Sequence, residues 1–361
     1  MKLIEYFYHH LPASENFITR KCAMSSEPFI NLYGVRGAGK TSIVLDYLND
    51  TMVRDEILYI DFENPNFILN TLNLNELQKY INQHQIKILV LDHYDFNLLP
   101  HFPTVTQLIV ISRIALNYNH FSYSELFPLD YEEFLAFEKV HQQNKSFNHF
   151  LRLGTLPISV RYQKSYSHIM KTFFHVNFDL QEQKLLVLLA YYHTTHLTIN
   201  QIYLYAKASF KISKDYLYQK IKLFKEEKLL IFIEDRYQKS GKKMLLFDFA
   251  FAKYLTLGQP FIIQFDTMVA LALIKHHINI ETFGIHGYIT TNNILIIPAP
   301  FESEESLWLK SQKKFNLYKK HHIQKVIIVT VANHYDYFIE KLYFEALPFN
   351  EWSVINEEDT I

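Results

Sequence analysis

The sequence predicts an α/β fold in several parts, and three observations carry that prediction. A strand-like run, a glycine-rich octet and a helix-like run follow one another between Pro28 and Leu48. Short apolar runs recur at Ile57–Asp61, Ile86–Asp92 and Gln107–Arg113. Further on, helical spacing gives way to a hairpin-like pair and then to a second helix-and-strand succession. Short apolar runs read as buried strands, whereas apolar residues three and four apart read as one face of a helix.

The octet Gly34-Val35-Arg36-Gly37-Ala38-Gly39-Lys40-Thr41 has the phosphate-loop pattern GxxxxGKT. Its glycines let consecutive backbone N–H groups turn inward, and the helix that follows offers its positive end to an anion. The context matches: Pro28-Phe29-Ile30-Asn31-Leu32-Tyr33 reads as a strand and Ser42-Ile43-Val44-Leu45-Asp46-Tyr47-Leu48 as a helix. The expected binding set is Gly34, Arg36, Gly37, Ala38, Gly39, Lys40, Thr41 and Ser42, with Lys40 on the β/γ-phosphates and Thr41 on Mg²⁺. No Asn-Lys-x-Asp segment for reading guanine is present, which favours ATP over GTP.

Ile86-Lys87-Ile88-Leu89-Val90-Leu91-Asp92 is an apolar strand ending in an acid, the Walker B pattern. It predicts Asp92 beside the loop strand as the second Mg²⁺ residue. Hydrolytic relatives place a glutamate next, and here the residue is His93. Glu63 and Asp95 are the candidates to orient water in its place, since base geometry matters more than motif position. The plain alternative is that both are surface acids at strand ends. Ser112 and Arg113, closing the run Gln107–Arg113, are candidate γ-phosphate sensors; the alternative is a strand cap and a solvated arginine.

Length allows two or three domains for 361 residues, and a formal net charge of −1 names no nucleic-acid or acidic partner. The single cysteine, Cys22, excludes an internal disulfide framework and fits a reducing compartment. An acid and two histidines interrupt the first ten residues, unlike a signal peptide, and no run approaches the ~18 apolar residues of a membrane helix. A cytoplasmic location is expected. The 18 histidines are scattered, with pairs at His9-His10, His276-His277 and His321-His322 but no zinc-helix spacing.

From Leu180 to Leu255 the pattern is three helices and a hairpin, the order of a winged helix-turn-helix. Thr198 and Ser213 stand at capping positions, and strands are expected at Leu229–Glu234 and Lys243–Phe249. Lys214, Lys220, Lys222 and Lys225 on the third helix, with Arg236, Lys239, Lys242 and Lys243 on the wing, are candidates for DNA phosphates. Asp215, Glu226 and Glu227 interrupt them, and such modules also serve only for packing. After Gly258-Gln259-Pro260 come a helix, Phe261 to His277, and strands at Gly284–Ile289, Ile294–Ile297 and Val326–Val331.

Taken together, the chain resembles the prokaryotic, archaeal-type AAA-like P-loop ATPases that join an ATPase core to a winged helix and a restriction-endonuclease-like domain. Beyond the Walker pair, Phe127-Pro128-Leu129-Asp130-Tyr131-Glu132-Glu133-Phe134-Leu135 is similar to that family's PLSFxEF segment. Phe150-Leu151-Arg152-Leu153-Gly154-Thr155-Leu156-Pro157 is similar to its YLxxGGxP stretch, and Leu245-Leu246-Phe247-Asp248-Phe249-Ala250-Phe251 to its VYFxDxGL strand and turn. The resemblance implies an ASCE/AAA-like P-loop NTPase core at 1–138, a helical lid at 139–179, a winged helix at 180–257 and a small α/β nuclease-like domain at 258–361.

The departures also bear on function. Phe121-Ser122-Tyr123-Ser124 stands where the family carries a Gly-Arg pair, leaving Arg36, Arg113 and Arg152 as substitutes for a trans-acting arginine. A catalytic nuclease domain needs an acid on one strand and Glu-x-Lys on the next. This chain has Gly287-Tyr288-Ile289-Thr290 and Ile296-Ile297-Pro298-Ala299-Pro300-Phe301 there, with Asp266 as a remnant acid and Glu302, Glu304, Glu305 and Lys310 as solvated charge. The expected function is binding of ATP and Mg²⁺ as a conformational switch, with hydrolysis in doubt at His93 and nuclease activity lost. The alternative is a winged-helix DNA-binding regulator tuned by nucleotide. A protein partner or a second copy would read the switch.

Overall fold

The computed structural model describes residues 2–13, 17–51, 53–138 and 143–354. The chain divides into two compact units between Pro128 and Leu129. The expected start of the lid, at 139–142, lies outside the described residues.

The first unit runs α1 (Lys2–His9), β1 (Phe29–Tyr33), α2 (Lys40–Thr51), β2 (Ile57–Asp61), α3 (Leu74–His84), β3 (Ile88–Asp92), β4 (Gln107–Ser112) and β5 (Ser122–Glu125). Its five strands lie in the order β2-β3-β4-β1-β5, every pair parallel. Strands this thoroughly buried read as continuous apolar runs, and β3 and β4 are buried at every position. Leu58, Ile60, Leu89, Leu91, Leu108 and Val110 turn to one face, against Ile4 and Phe7 of α1 and Leu77, Tyr80 and Ile81 of α3. By the two-residue period of a strand, Tyr59, Asp61 and Asp92 turn to the other face. The expectation that Asp92 lies beside the loop strand needs correction, because β4 separates β3 from β1. Apolar runs of equal character carry no information on strand order.

The second unit opens with α4 (Tyr131–Phe137), α5 (Gln143–Leu153), α6 (Pro157–Arg161), α7 (Tyr166–Asn177) and α8 (Leu180–Tyr191). Then come β6 (His196–Leu197), α9 (Ile199–Ser209), α10 (Lys214–Glu226), β7 (Leu230–Ile233), β8 (Lys242–Leu246) and α11 (Phe249–Tyr254). It continues through α12 (Phe261–Lys275), β9 (Ile280–Thr282), β10 (Tyr288–Thr290), β11 (Ile294–Pro298) and α13 (Glu304–Lys320), and closes with β12 (Lys325–Thr330), β13 (Tyr335–Ile339), β14 (Leu342–Pro348) and α14 (Phe349–Trp352). Thr198 forms a capping box with Gln201, and the Ser213 hydroxyl accepts from the Tyr216 amide, so both helix starts follow from local chemistry. β6, before these helices, and β7 and β8, after them, form a three-stranded sheet β6-β8-β7, and a six-stranded mixed sheet, β13-β14-β12-β11-β10-β9, fills the C-terminal part.

Three expectations shift in this unit. Helix α4, read as the end of the ATPase core, belongs here; the Leu129 amide donates to the Thr155 carbonyl. Strand β8 stops at Leu246 because Asp248 caps a new helix at Phe249. The strand expected at Gly284–Ile289 starts only at Tyr288, in β10; the residues before it form the turn from β9, where Gly284 and Gly287 take φ of 57° and 134°. No helix among the described residues is long and apolar enough to cross a membrane.

Two buried polar joints hold this unit. Asp248, 1 % exposed, accepts from the Thr155 amide (2.5 Å), the Thr155 hydroxyl (2.6 Å) and the Phe251 amide (2.6 Å). Gly154 precedes this contact at φ 72°, and a Cβ there would sit 2.6 Å from the carboxylate, so the stretch Phe150–Pro157 and the turn at Asp248 form one joint. In the second joint His193 accepts from the Leu246 amide at Nδ1 and meets Thr267 Oγ1 at 2.7 Å through Nε2. Burial and the Lys243 charge push its pKa down to about 3. Neutral His193 then donates from Nε2, and the Thr267 hydroxyl in turn donates to the Ile263 carbonyl.

Candidate nucleotide-binding site

The phosphate loop leaves β1 at Tyr33 and enters α2 at Lys40. Gly34, Gly37 and Gly39 have φ of 140°, 78° and 96°, the left-handed side of the map where a Cβ is disfavoured. Gly34 is also required by space, since a Cβ would lie 2.3 Å from the Leu126 carbonyl oxygen beyond β5. Ala38 and Arg36 are buried. The ammonium of Lys40 lies at the loop rim, 2.7 Å from the Gly34 carbonyl and 2.9 Å from that of Val35. Ser42 is exposed on the first turn of α2.

One residue that holds the loop from outside has no counterpart in the sequence reading. Arg20, buried, donates to the Ala38 carbonyl at 2.7 Å and to the Phe127 carbonyl at 2.8 Å, tying the loop to the end of the unit. A lone arginine outside every motif gives no sequence signal.

Thr41 and Asp92 meet across the sheet: the Thr41 hydroxyl donates to Asp92 Oδ2 at 2.8 Å. Asp92 is 1 % exposed, and a carboxylate so buried needs donors. It receives two more, the Tyr59 hydroxyl on Oδ2 at 2.5 Å and the His93 amide on Oδ1 at 2.8 Å. Tyr59 remains a donor, because burial and the Asp92 charge raise its pKa far above the ordinary phenol value. Hydroxyl and carboxylate together are the hard oxygen donors that Mg²⁺ takes. No group of three or more His, Cys, Asp and Glu that could hold a metal occurs among the described residues, so water and phosphate would complete such a shell.

His93 follows Asp92 with φ 49°, a left-handed turn that sends its ring along the strand ends. Its Nδ1 lies 2.9 Å from Asp61 Oδ1 and its Nε2 3.6 Å from Glu63 Oε2. Burial opposes a charge on the ring, yet the Asp61 hydrogen bond and the carboxylates of Asp92, Glu63 and Asp61 outweigh it, and the pKa is raised. For Asp61, burial is likewise outweighed, by the His93 ring and the Glu63 amide, and its pKa falls. Glu63 Oε1 also accepts from Arg113 at 2.9 Å. The sequence candidates Glu63, Arg113 and Asp92 are thus brought together around His93, with Asp61 as a member the sequence reading missed.

Asp95 stands apart from this group, its Oδ1 accepting from the backbone and side-chain nitrogens of Asn97. The Ser112 hydroxyl is spent in the core, receiving from Asn31 at 2.8 Å and donating to the Ile114 carbonyl at 2.6 Å. Asn31 completes this clasp by donating to the Val110 carbonyl and accepting from the Leu116 amide. Of the three candidate arginines, Arg36 lies in the loop, Arg113 on Glu63, and Arg152 in α5 of the second unit.

Residues 26–96 match a family model described as an AAA domain, a span that holds the loop, β2, β3 and His93. No curated protein matches the chain. Among solved structures the chain is similar to that of the Aeropyrum pernix ORC1 protein in complex with DNA, at 9% sequence identity and a TM-score of 0.31 over 70% of this chain and 89% of that one. With the loop geometry and the parallel sheet, the match over 26–96 supports a P-loop NTPase core in the first unit.

Proposed function

We propose that the protein binds MgATP in the first unit and acts as a nucleotide-dependent conformational switch. The observation that carries the reading is the Thr41–Asp92 bond beneath a loop of positive-φ glycines with Lys40 at its rim. Lys40 and the loop amides would neutralise phosphate charge, and Thr41 and Asp92 would hold Mg²⁺. The metal, when bound, screens the charge between β- and γ-phosphates. Around this set, Asp61, Glu63, His93 and Arg113 form the polar rim that a terminal phosphate would order, and a partner protein or second copy would read the change.

Turnover is the weaker half of the cycle. The position that usually holds a water-orienting glutamate carries His93, whose ring is no carboxylate base and already meets Asp61 through Nδ1. Glu63 is the carboxylate nearest that role, and Arg113 and His93 both hold it. Slow hydrolysis through Glu63 is therefore the expected behaviour. The test is MgATP affinity of the wild type against Lys40→Ala; equal affinities would reject the reading.

The DNA-binding alternative has less support. Lys220 pairs with Glu182 and Lys222 with Glu226, Arg236 with Glu281, Lys242 with Glu234 and Lys243 with Asp266. Lys225 acts on the Glu234 carboxylate, which leaves Lys214 and Lys239, too small a set for strong phosphate neutralisation. We read the hairpin as a packing element on the C-terminal domain: Arg236 also reaches Asn293 and the Thr290 carbonyl, and Asp235 accepts from Thr282 and the Gly284 amide. That domain we take to lack nuclease chemistry, since Asp266 is held by Lys243 at 2.6 Å and the Tyr288 hydroxyl at 2.8 Å.

A further inference from the structure

We propose that Tyr59 is a positioning residue of the metal half of this site: its hydroxyl fixes the Asp92 carboxylate so that Oδ2 stays beside Thr41 whether or not a cation is present. The inference rests on the MgATP reading above. Tyr59 sits in the middle of β2 at 2 % exposure, in a run where Ile57, Leu58 and Ile60 are apolar. An apolar residue would satisfy the core equally well, and a buried phenol must find a partner.

Register explains how it reaches one. Tyr59 pairs with Val90 and Asp61 with Asp92, so Tyr59 lies one alternation below Asp92 on the same sheet face. From there the phenol extends along the face to the carboxylate two rows above, ending 2.5 Å from Oδ2. Thr41 reaches the same oxygen from α2, while the His93 amide holds Oδ1. These three donors do different things. The Thr41 hydroxyl, on the first turn of α2 just after the loop, would rearrange when it ligates a metal. The His93 amide fixes only the far oxygen. Tyr59 comes from the neighbouring strand, is enclosed and cannot swing away, so it alone holds Oδ2 from a frame that the nucleotide does not move.

Losing a hydrogen bond to a buried charge costs about 1.5–3 kcal/mol, a factor of about ten or more in affinity. That loss should fall on the metal-dependent part of binding. The experiment measures ATP affinity for the wild type and Tyr59→Phe, each with excess Mg²⁺ and with EDTA, after equal melting temperatures have been checked. The expected result is at least about tenfold weaker binding of Tyr59→Phe with Mg²⁺ and unchanged binding with EDTA. Equal loss in both conditions would mean a merely structural role, and no loss in either would also overturn the proposal. If the wild type shows no ATP binding, or none that Mg²⁺ strengthens, it is the MgATP reading that fails. Should Tyr59→Phe fold poorly, the wild-type hydroxyl proton serves instead. Its resonance should stay protected from exchange with and without MgATP, and loss of protection on MgATP binding would contradict a fixed anchor.

Discussion

The Thr41 hydroxyl and the Asp92 carboxylate lie 2.8 Å apart, although they are fifty-one residues apart in the chain and β4 separates β3, which ends in Asp92, from β1, which leads into the loop before Thr41. The fold makes this contact by ending β1 and β3 at the same edge of a parallel sheet and starting α2 there. It is the point on which metal and nucleotide binding turn. Thr41→Ala should therefore weaken MgATP binding about tenfold or more while leaving the fold intact, because the lost bond is to a charged group. Titration calorimetry with and without Mg²⁺ checks it, and an Mg²⁺-dependent affinity equal to wild type would contradict it.

Glu63 and Asp95 entered as equal candidates, and their surroundings separate them. Glu63 belongs to the cluster of His93 and Arg113, while Asp95 closes a local turn on Asn97. Glu63→Gln should abolish whatever slow phosphate release the wild type shows, with MgATP affinity retained. Asp95→Ala should leave release unchanged. A reversed pattern in a steady-state phosphate assay would move the role to Asp95.

The joint at Asp248 gives a stability prediction. Its carboxylate takes two bonds from Thr155 and caps α11, so Asp248→Ala strands buried donors and removes a cap. The expected destabilisation is about 2–4 kcal/mol, read from the urea midpoint. Gly154→Ala should destabilise as well, since it forces a Cβ into the same carboxylate at φ 72°.

A pH dependence follows from His193. Folded, it is neutral with a pKa near 3; unfolded, its ordinary value is about 6.5. The unfolded chain therefore binds the extra proton between these values. The stabilising contribution is complete above about pH 6.5 and declines by about 1.4 kcal/mol per unit as pH falls toward 3. Denaturation midpoints at pH 7 and pH 5 should diverge for the wild type and less so for His193→Gln, which has no proton to gain.

Legibility varied with how local the signal was. The phosphate loop, the strand ending in Asp92 and the caps at Thr198 and Ser213 were readable because each is fixed by neighbours within a few residues. Glu63 was readable only as an acid just past the run Ile57–Asp61; the pairing of β2 with β3 is what puts it near His93. Tyr59, Arg20 and Asp61 were not, because their partners are distant in sequence and a tyrosine in an apolar run looks like core. Ser112 looked like a sensor by its place at a strand end, but its pairing with Asn31 is a tertiary contact with no pattern. The hairpin lysines read as a basic surface for the same reason: Glu281 and Asp266, which pair with Arg236 and Lys243, come from β9 and α12, further along the chain.

The most direct test of the account is equilibrium binding of ATP with Mg²⁺ to the wild-type chain and to Lys40→Ala. Saturable binding by the wild type, weakened at least about tenfold in the variant, is the predicted result. Equal binding by both proteins, or none by the wild type, would contradict the claim that this loop holds a nucleotide.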